Sequence, residues 1–256
     1  MNLSDLDSLV ESHLNLQVKI SYSQHHDFLI RHQLNQCSNI LDVGCGNGTF
    51  VARLAHDHPS IHFVGIDKRQ YQKLNVENLE MRQLDMFSKN TTFDFSQFDG
   101  ILMRYFLLHV DHAQKIFQIF KDKSKRPSRF WIIDLDWSQF SCVPQNENFD
   151  KLTKLVKEFC TKISVDSSGG QNVLQLLQKL NYQNIVVEHL PFTKKNIPLE
   201  ELVQYLNQEV QCYSRMIGRS VNDLDTAEVI RFIDEDIRSE KFEISYGMIL
   251  VSADLN

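Results

Sequence analysis

Asp42, Gly44, Gly46 and Gly48 alternate in the run Ile40-Leu-Asp-Val-Gly-Cys-Gly-Asn-Gly48. An apolar stretch ending in an acid, then three glycines, then an apolar helical pattern describes a strand, a tight turn and a helix. Glycine is needed where the backbone takes positive φ or must approach a ligand closely. The helix N-terminus that follows offers N–H groups to polar ligand atoms. The dinucleotide fingerprint G-x-G-x-x-G wants its third glycine one residue later, where Thr49 stands. Asp42 adds a carboxylate at the strand end, which repels a diphosphate and attracts a ligand carrying ammonium and sulfonium charges. A glycine turn with no ligand is the competing reading.

The pattern D-x-G-x-G-x-G resembles motif I of the class I S-adenosylmethionine (SAM) methyltransferases. Three later strand ends agree with that resemblance. Residues 61–66 read as a second strand ending in Asp67, nineteen residues after Gly48, where an acid is placed to accept both ribose hydroxyls. The element Leu79 to Leu84 ends in Asp85-Met86, matching the family's carboxylate and apolar residue at the adenine. A fourth strand, Phe98 to Met103, reaches Arg104, where the family lines the methionine end of the cofactor. An isolated Asp is ordinarily a solvated turn residue; acids at successive strand ends in the right order are hard to explain that way.

The resemblance narrows further. Phe98-Asp99 with Arg104-Tyr-Phe-Leu-Leu-His109-Val110 is similar to the FD…R-F-x-L-x-H stretch of small-molecule methyltransferases related to ubiquinone and menaquinone biosynthesis. Ile132-Ile-Asp-Leu-Asp136 looks like their fifth strand, and the segments Asp166–Gly170 and Asn181–Glu188 are similar to their D-x-x-x-G and GF-x-x-V-x-x-E pieces. The chain departs from them at Pro127-Ser-Arg129 and at Asn181-Tyr182, so a particular substrate is not implied.

The positioning elements follow from periodicity. An α/β fold is expected: a Rossmann-like seven-stranded sheet of order 3-2-1-4-5-7-6, the last strand antiparallel, as the resemblance implies. Helical patterns over 1–36 form an N-terminal cap, with one stretch around Leu3 to Val10 and a second from Tyr22 to Leu34. Residues 37–256 then make the SAM-binding domain, in which βα alternation occupies 38–135. Amphipathic helices at about 147–163 and 198–238 read as lid insertions over the open strand ends, and Phe242 to Val251 reads as the last strand. Ligands of such sheets bind outside the carboxyl ends of the strands.

Composition sets bounds on the whole. The chain has 256 residues, 42% of them hydrophobic and 23% charged, enough for one large core with a modest appendage. No apolar run approaches the roughly 20 residues that span a bilayer, and the N-terminus lacks a signal-peptide layout. Five scattered cysteines without a Cys-x-x-Cys pair suit a reducing, cytoplasmic setting. A net charge of −6 disfavours a nucleic-acid-binding surface, and the basic cluster 121–129 reads as a solvated loop. A monomer or homodimer is expected.

The resemblance implies SAM as cofactor, with S-adenosylhomocysteine (SAH) as product. It places Asp42, Gly44, Cys45, Gly46 and Asn47 at the methionine half, Asp67 and Lys68 at the ribose, Asp85 and Met86 at the adenine, and Arg104 at the methionine end. Tyr22 and Arg31 on the N-terminal helix could close over it; ordinary cap packing is the alternative. Methyl transfer needs orientation, desolvation and, for some acceptors, a base. His109 and Asp136 are the candidate bases, with Asp134 behind them. No metal is expected: His109-Val-Asp-His112 has i,i+3 spacing with a carboxylate nearby but lacks a second ligand motif. The acceptor is expected to be a small molecule. Against a nucleic-acid base methyltransferase, Arg104-Tyr-Phe-Leu replaces the Asn/Asp-Pro-Pro-aromatic run after strand four. A protein methyltransferase and a non-catalytic SAM-binding protein stay open.

Overall fold

A computed structural model gives the fold and describes residues 3–72, 74–88, 93–107, 110, 113–123, 128–163, 169–239 and 241–255. In chain order the first half runs α1 (Leu3–Arg31), β1 (Asn39–Val43), α2 (Thr49–Asp57), β2 (His62–Asp67), β3 (Leu79–Gln83), β4 (Gly100–Arg104), α3 (Ala113–Lys123) and β5 (Ser128–Leu135). The second half runs β6 (Ser141–Val143), α4 (Glu147–Lys162), α5 (Gly169–Lys179), β7 (Gln183–His189), β8 (Phe192–Thr193), α6 (Leu199–Met216), α7 (Leu224–Arg231), β9 (Glu243–Tyr246) and β10 (Met248–Leu255). These elements fall into two units. One comprises residues 1–21, 136–168 and 190–248; the other comprises 22–135, 169–189 and 249–256. The continuous helix α1 belongs to both, instead of the two helical stretches that the sequence suggested.

The second of these units carries a seven-stranded sheet of order β3-β2-β1-β4-β5-β10-β7. With β6, β8 and β9 outside it, β7 and β10 are its sixth and seventh strands, so the expected order 3-2-1-4-5-7-6 holds. β1 pairs in parallel with β2 and β4, and β2 with β3. β10 runs antiparallel to β7. It opposes β5 as well: Arg129, at the start of β5, makes a two-pronged ion pair at 2.9 and 3.0 Å with Asp254, near the end of β10. The central strands read as continuous apolar runs because both faces are covered, with Leu41, Val43, Ile101, Met103, Phe130 and Ile132 in the core.

The first unit holds α4, α6 and α7 with a three-stranded antiparallel sheet, β6-β9-β8, absent from the sequence reading. The single strand expected over 242–251 is broken at Gly247 into β9 and β10, which belong to different sheets. A Cβ at Gly247 would stand 2.7 Å from the Asp136 carbonyl oxygen, and Asp136 N–H donates to the Gly247 carbonyl at 3.0 Å. Only glycine permits that close approach of two backbones. Past α7 the chain widens into a π-helical turn, Phe232–Asp236.

Candidate functional site

The turn between β1 and α2 takes the conformation its glycines allow. Gly44, Gly46 and Gly48 have φ of 73°, 57° and 77°. Gly44 and Cys45 N–H groups both donate to the Ile66 carbonyl, at 2.8 and 3.1 Å, so the turn is tied to the end of β2. A Cβ on Gly44 would collide with the Phe106 ring, and one on Gly48 would stand 2.6 Å from Met81 Cε. Asn47 closes the turn by accepting the Thr49 N–H at 3.2 Å.

Two acids flank this turn in different states. Asp67 Oδ2 accepts the Gly46 N–H at 3.0 Å and Oδ1 the Arg69 N–H at 2.9 Å. A carboxylate offers about four lone-pair sites, so Asp67 keeps acceptor capacity on both oxygens. Asp42 is 2% exposed, and its Oδ1 is buried with no hydrogen-bond partner among the described residues. Burial pushes its carboxyl up to about 7; the positive Arg104 pulls it back and the Asp67 charge raises it. A cationic ligand group would relieve both problems, which is the electrostatic complement of an ammonium or sulfonium and not of a phosphate. The residues present therefore fit the donor expected from the sequence.

Arg104 ends β4, its guanidinium 4.4 Å from the Phe50 ring centroid and 4.7 Å from that of Tyr105. Tyr105 has φ 52°, an uncommon value for a residue with a side chain, and strain of this kind concentrates at functional sites. The sequence reading missed His25 here. It is fully buried, its ring 6.1 Å from Phe50 and 6.0 Å from Tyr105. Burial first, then the Arg104 charge, hold His25 well below the usual imidazole range, so it is neutral at pH 7. Phe106 lies on Gly44, and Tyr71, whose phenol is raised by burial and by the Asp67 charge, was also missed. Aromatic residues carry no positional signal in a chain with 17 Phe and 7 Tyr.

The other expected residues divide. Asp85 is exposed just after β3 and accepts the Phe87 N–H at 2.9 Å. Met86 beside it is buried in the sheet core. Lys68 is exposed, its carbonyl accepting from Gln83 Nε2 at 3.2 Å. The Cys45 thiol is raised by burial first and by the Asp42 and Asp67 charges next, so it stays protonated.

Four expectations are corrected or fall outside. Tyr22 donates to Asp57 Oδ2 at 2.5 Å, at the far end of α2, about 12 Å along the helix from the glycine turn at 1.5 Å per residue; Arg53 covers its ring at 3.8 Å. Arg31 pairs with Glu188 of β7 at 2.7 Å, four strand positions from β1 or about 19 Å at the usual spacing. Tyr22 also meets the Phe50 ring edge-on at 5.5 Å, beside His25 at 6.1 Å, but its hydroxyl is held by Asp57; Arg31, farther along the same helix, is carried to the Glu188 edge of the sheet. Asp136 spends its carboxylate on a cap: Oδ1 accepts the Ser138 N–H at 3.1 Å and hydroxyl at 2.5 Å, and Oδ2 accepts from Gln139 Nε2 at 2.7 Å. These bonds make it the cap of the turn after β5. His109 lies outside the described residues.

Comparison with known proteins agrees with this geometry. A family model of the methyltransferase domain matches residues 34–189. No curated protein matches the sequence. Among solved structures, the plantazolicin methyltransferase BpumL in complex with a monoazolic desmethylPZN analog and SAH has a TM-score of 0.54 at 14% identity, covering 95% of this chain and 88% of its own. The YcgJ protein of Bacillus subtilis has a TM-score of 0.53 at 16% identity, over 90% and 98% of the two chains. The [4+2]-cyclase SpnF follows at 0.51 and 14%, over 85% and 74%. At these identities the likeness is one of fold, and its inclusion of a cyclase shows that fold alone does not name a reaction. The family match spans more than half of the chain: it belongs to the methyltransferase domain family, and its methyl donor is S-adenosylmethionine.

Proposed function

We propose that this protein transfers the methyl group of SAM to a small-molecule acceptor in the cytoplasm, as a monomer or homodimer. The observation that carries the donor half is the joint placement of Asp42, Asp67 and the glycine turn at the strand ends. In this reading Asp42 balances the donor's positive charges, and Gly44, Cys45, Gly46 and Asn47 contact its methionine half together with Arg104. Asp67, beside Lys68, accepts the ribose hydroxyls, and Asp85 and Met86 meet the adenine. When bound, SAM supplies a methyl already activated on a sulfonium. The chain's own work is then orientation and exclusion of water, and proximity of this kind is worth roughly 7–11 kcal/mol of barrier. Neutral His25 packs beside Arg104 without taking a proton, and His109 remains a candidate base for acceptors that require one.

The acceptor half rests on other support. Two neighbours of this fold are known as complexes: BpumL with a monoazolic desmethylPZN analog, and a Haemonchus contortus N-methyltransferase with phosphomonomethylethanolamine. We assign acceptor recognition to the helices expected as lids, about 147–163 and 198–238. Among the described residues no helix is long and apolar enough to cross a membrane. The test is calorimetric titration with SAM, SAH and NADH, followed by labelling of a metabolite extract with radiolabelled SAM. SAM and SAH should bind, NADH should not, and the label should pass a dialysis membrane. Label retained on protein or nucleic acid would move the enzyme to another substrate class.

A further inference from the structure

Glu209, in the middle of α6, is 2% exposed and makes no ion pair with any described residue. Its partners are three phenols, all on Oε1. The Tyr205 hydroxyl, one turn earlier, donates at 3.4 Å; the Tyr213 hydroxyl, one turn later, donates at 2.7 Å; the Tyr246 hydroxyl donates from β9. The i,i+4 spacing of 205, 209 and 213 stacks these groups on one helix face, and the break at Gly247 leaves Tyr246 as the last residue of β9.

Aromatic rings enclose the group. Trp137 lies edge-on to Tyr246 at 5.2 Å and to Tyr213 at 6.1 Å; Phe159 stacks on Tyr213 at 4.1 Å, and His13 on Tyr205 at 5.0 Å. Trp137 Nε1 is itself buried without a hydrogen-bond partner among the described residues. Burial raises the Glu209 carboxyl to about 7, while the three hydroxyls hold it down.

This arrangement selects a ligand by chemistry. Each phenol has one proton and gives it to Glu209, so each phenol oxygen is left with acceptor lone pairs only. A centre of carboxylate and phenol oxygens walled by electron-rich ring faces disfavours anions, while the Trp137 Nε1–H suits a neutral acceptor atom on the same ligand. It matches a cation that also carries N–H donors. A buried carboxylate without a counter-charge is costly, and an incoming cation supplies the charge the chain does not. A metal fits poorly, since one carboxylate is a thin ligand set for a hard cation.

We propose that the Glu209–Tyr205–Tyr213–Tyr246 cluster binds an organic ammonium group. The full chain is titrated with benzylammonium and butylammonium, and with benzyl alcohol and butanol as their neutral counterparts. SAH is titrated into every variant. The wild type should bind the ammonium probes in preference to the alcohols. Glu209→Gln should weaken the ammonium probes about tenfold or more, the loss expected for one charge-assisted hydrogen bond, and leave SAH unchanged. Tyr246→Phe, which keeps the carboxylate, should retain the preference for ammonium over alcohol at reduced affinity, and it serves if Glu209→Gln does not fold. Equal binding of the ammonium probes to wild type and Glu209→Gln overturns the proposal. So does SAH binding without any ammonium binding in the wild type, or loss of the charge preference in a Tyr246→Phe protein that binds SAH. A wild type that binds ammonium probes but not SAH refutes the methyl-transfer reading and leaves the ammonium site standing.

Discussion

Asp67, the last residue of β2, reaches back across the sheet end to accept the Gly46 backbone N–H at 3.0 Å. The carboxylate expected at the ribose is thus also a strut for the glycine turn, so ligand affinity and turn geometry share one side chain. Asp67→Ala should weaken SAH binding about tenfold or more, since one or two charge-assisted bonds at about 1.5–3 kcal/mol each are lost. Asp67→Asn should lose less, because the amide oxygen can still accept from Gly46. Calorimetry on the two variants checks this, and an alanine variant as tight as wild type would remove Asp67 from the site.

Gly44 is limited twice, by φ 73° and by the Phe106 ring lying where a Cβ would be. Gly44→Ala should cost about 1–2 kcal/mol in stability from the left-handed backbone alone, plus the ring displacement. Phe106→Ala in the same chain should recover only the second part. Denaturant melts of the single and double variants separate the two terms; full recovery by Phe106→Ala would mean that the backbone is not strained.

The Asp42 carboxyl is raised to about 7 by burial, above the unfolded value of about 3.9. A raised folded value means that its contribution to stability is complete below about pH 4 and is lost as pH rises to about 7. Asp42→Asn should flatten that part of the stability–pH profile and melt higher than wild type at pH 8, while binding SAH more weakly. SAM binding to wild type near pH 7 should release a proton, read as a dependence of binding heat on the buffer's ionisation enthalpy. A buffer-independent heat would show that Asp42 is already ionised.

Tyr22→Phe deletes the hydroxyl that Asp57 accepts. The expected result is a stability loss of about 1 kcal/mol, typical of one hydrogen bond, with SAH affinity unchanged. A selective loss of SAH affinity would return Tyr22 to the site.

Asp136→Ala removes the cap of the turn after β5 and should cost about 1 kcal/mol. At matched folded fraction, its methyl-transfer rate should show no change in pH dependence. A displaced pH profile would restore Asp136 as a base.

The donor half of the site was legible in the sequence because it is local. Glycines at alternate positions, Asp42 before them and Asp67 one βα unit later are spaced by a strand, a turn and a nine-residue helix, and short-range geometry suffices to place them. The order of the sheet followed from the resemblance and held. Contacts between residues distant in the chain were decided only by the tertiary structure. His25 and Tyr22 both meet Phe50 because α1 is one unbroken helix, whereas the Tyr22 hydroxyl is taken by Asp57 and Arg31, on the same helix, is carried to Glu188. Asp136 looked like a base at a strand end, and hydrogen bonds to Ser138 and Gln139 make it a cap. Glu209, Tyr205 and Tyr213 share one face of α6 by their i,i+4 spacing, but Tyr246 joins them only because Gly247 divides the last strand between two sheets. That break depends on how closely the Asp136 backbone approaches, and no spacing in the sequence encodes it.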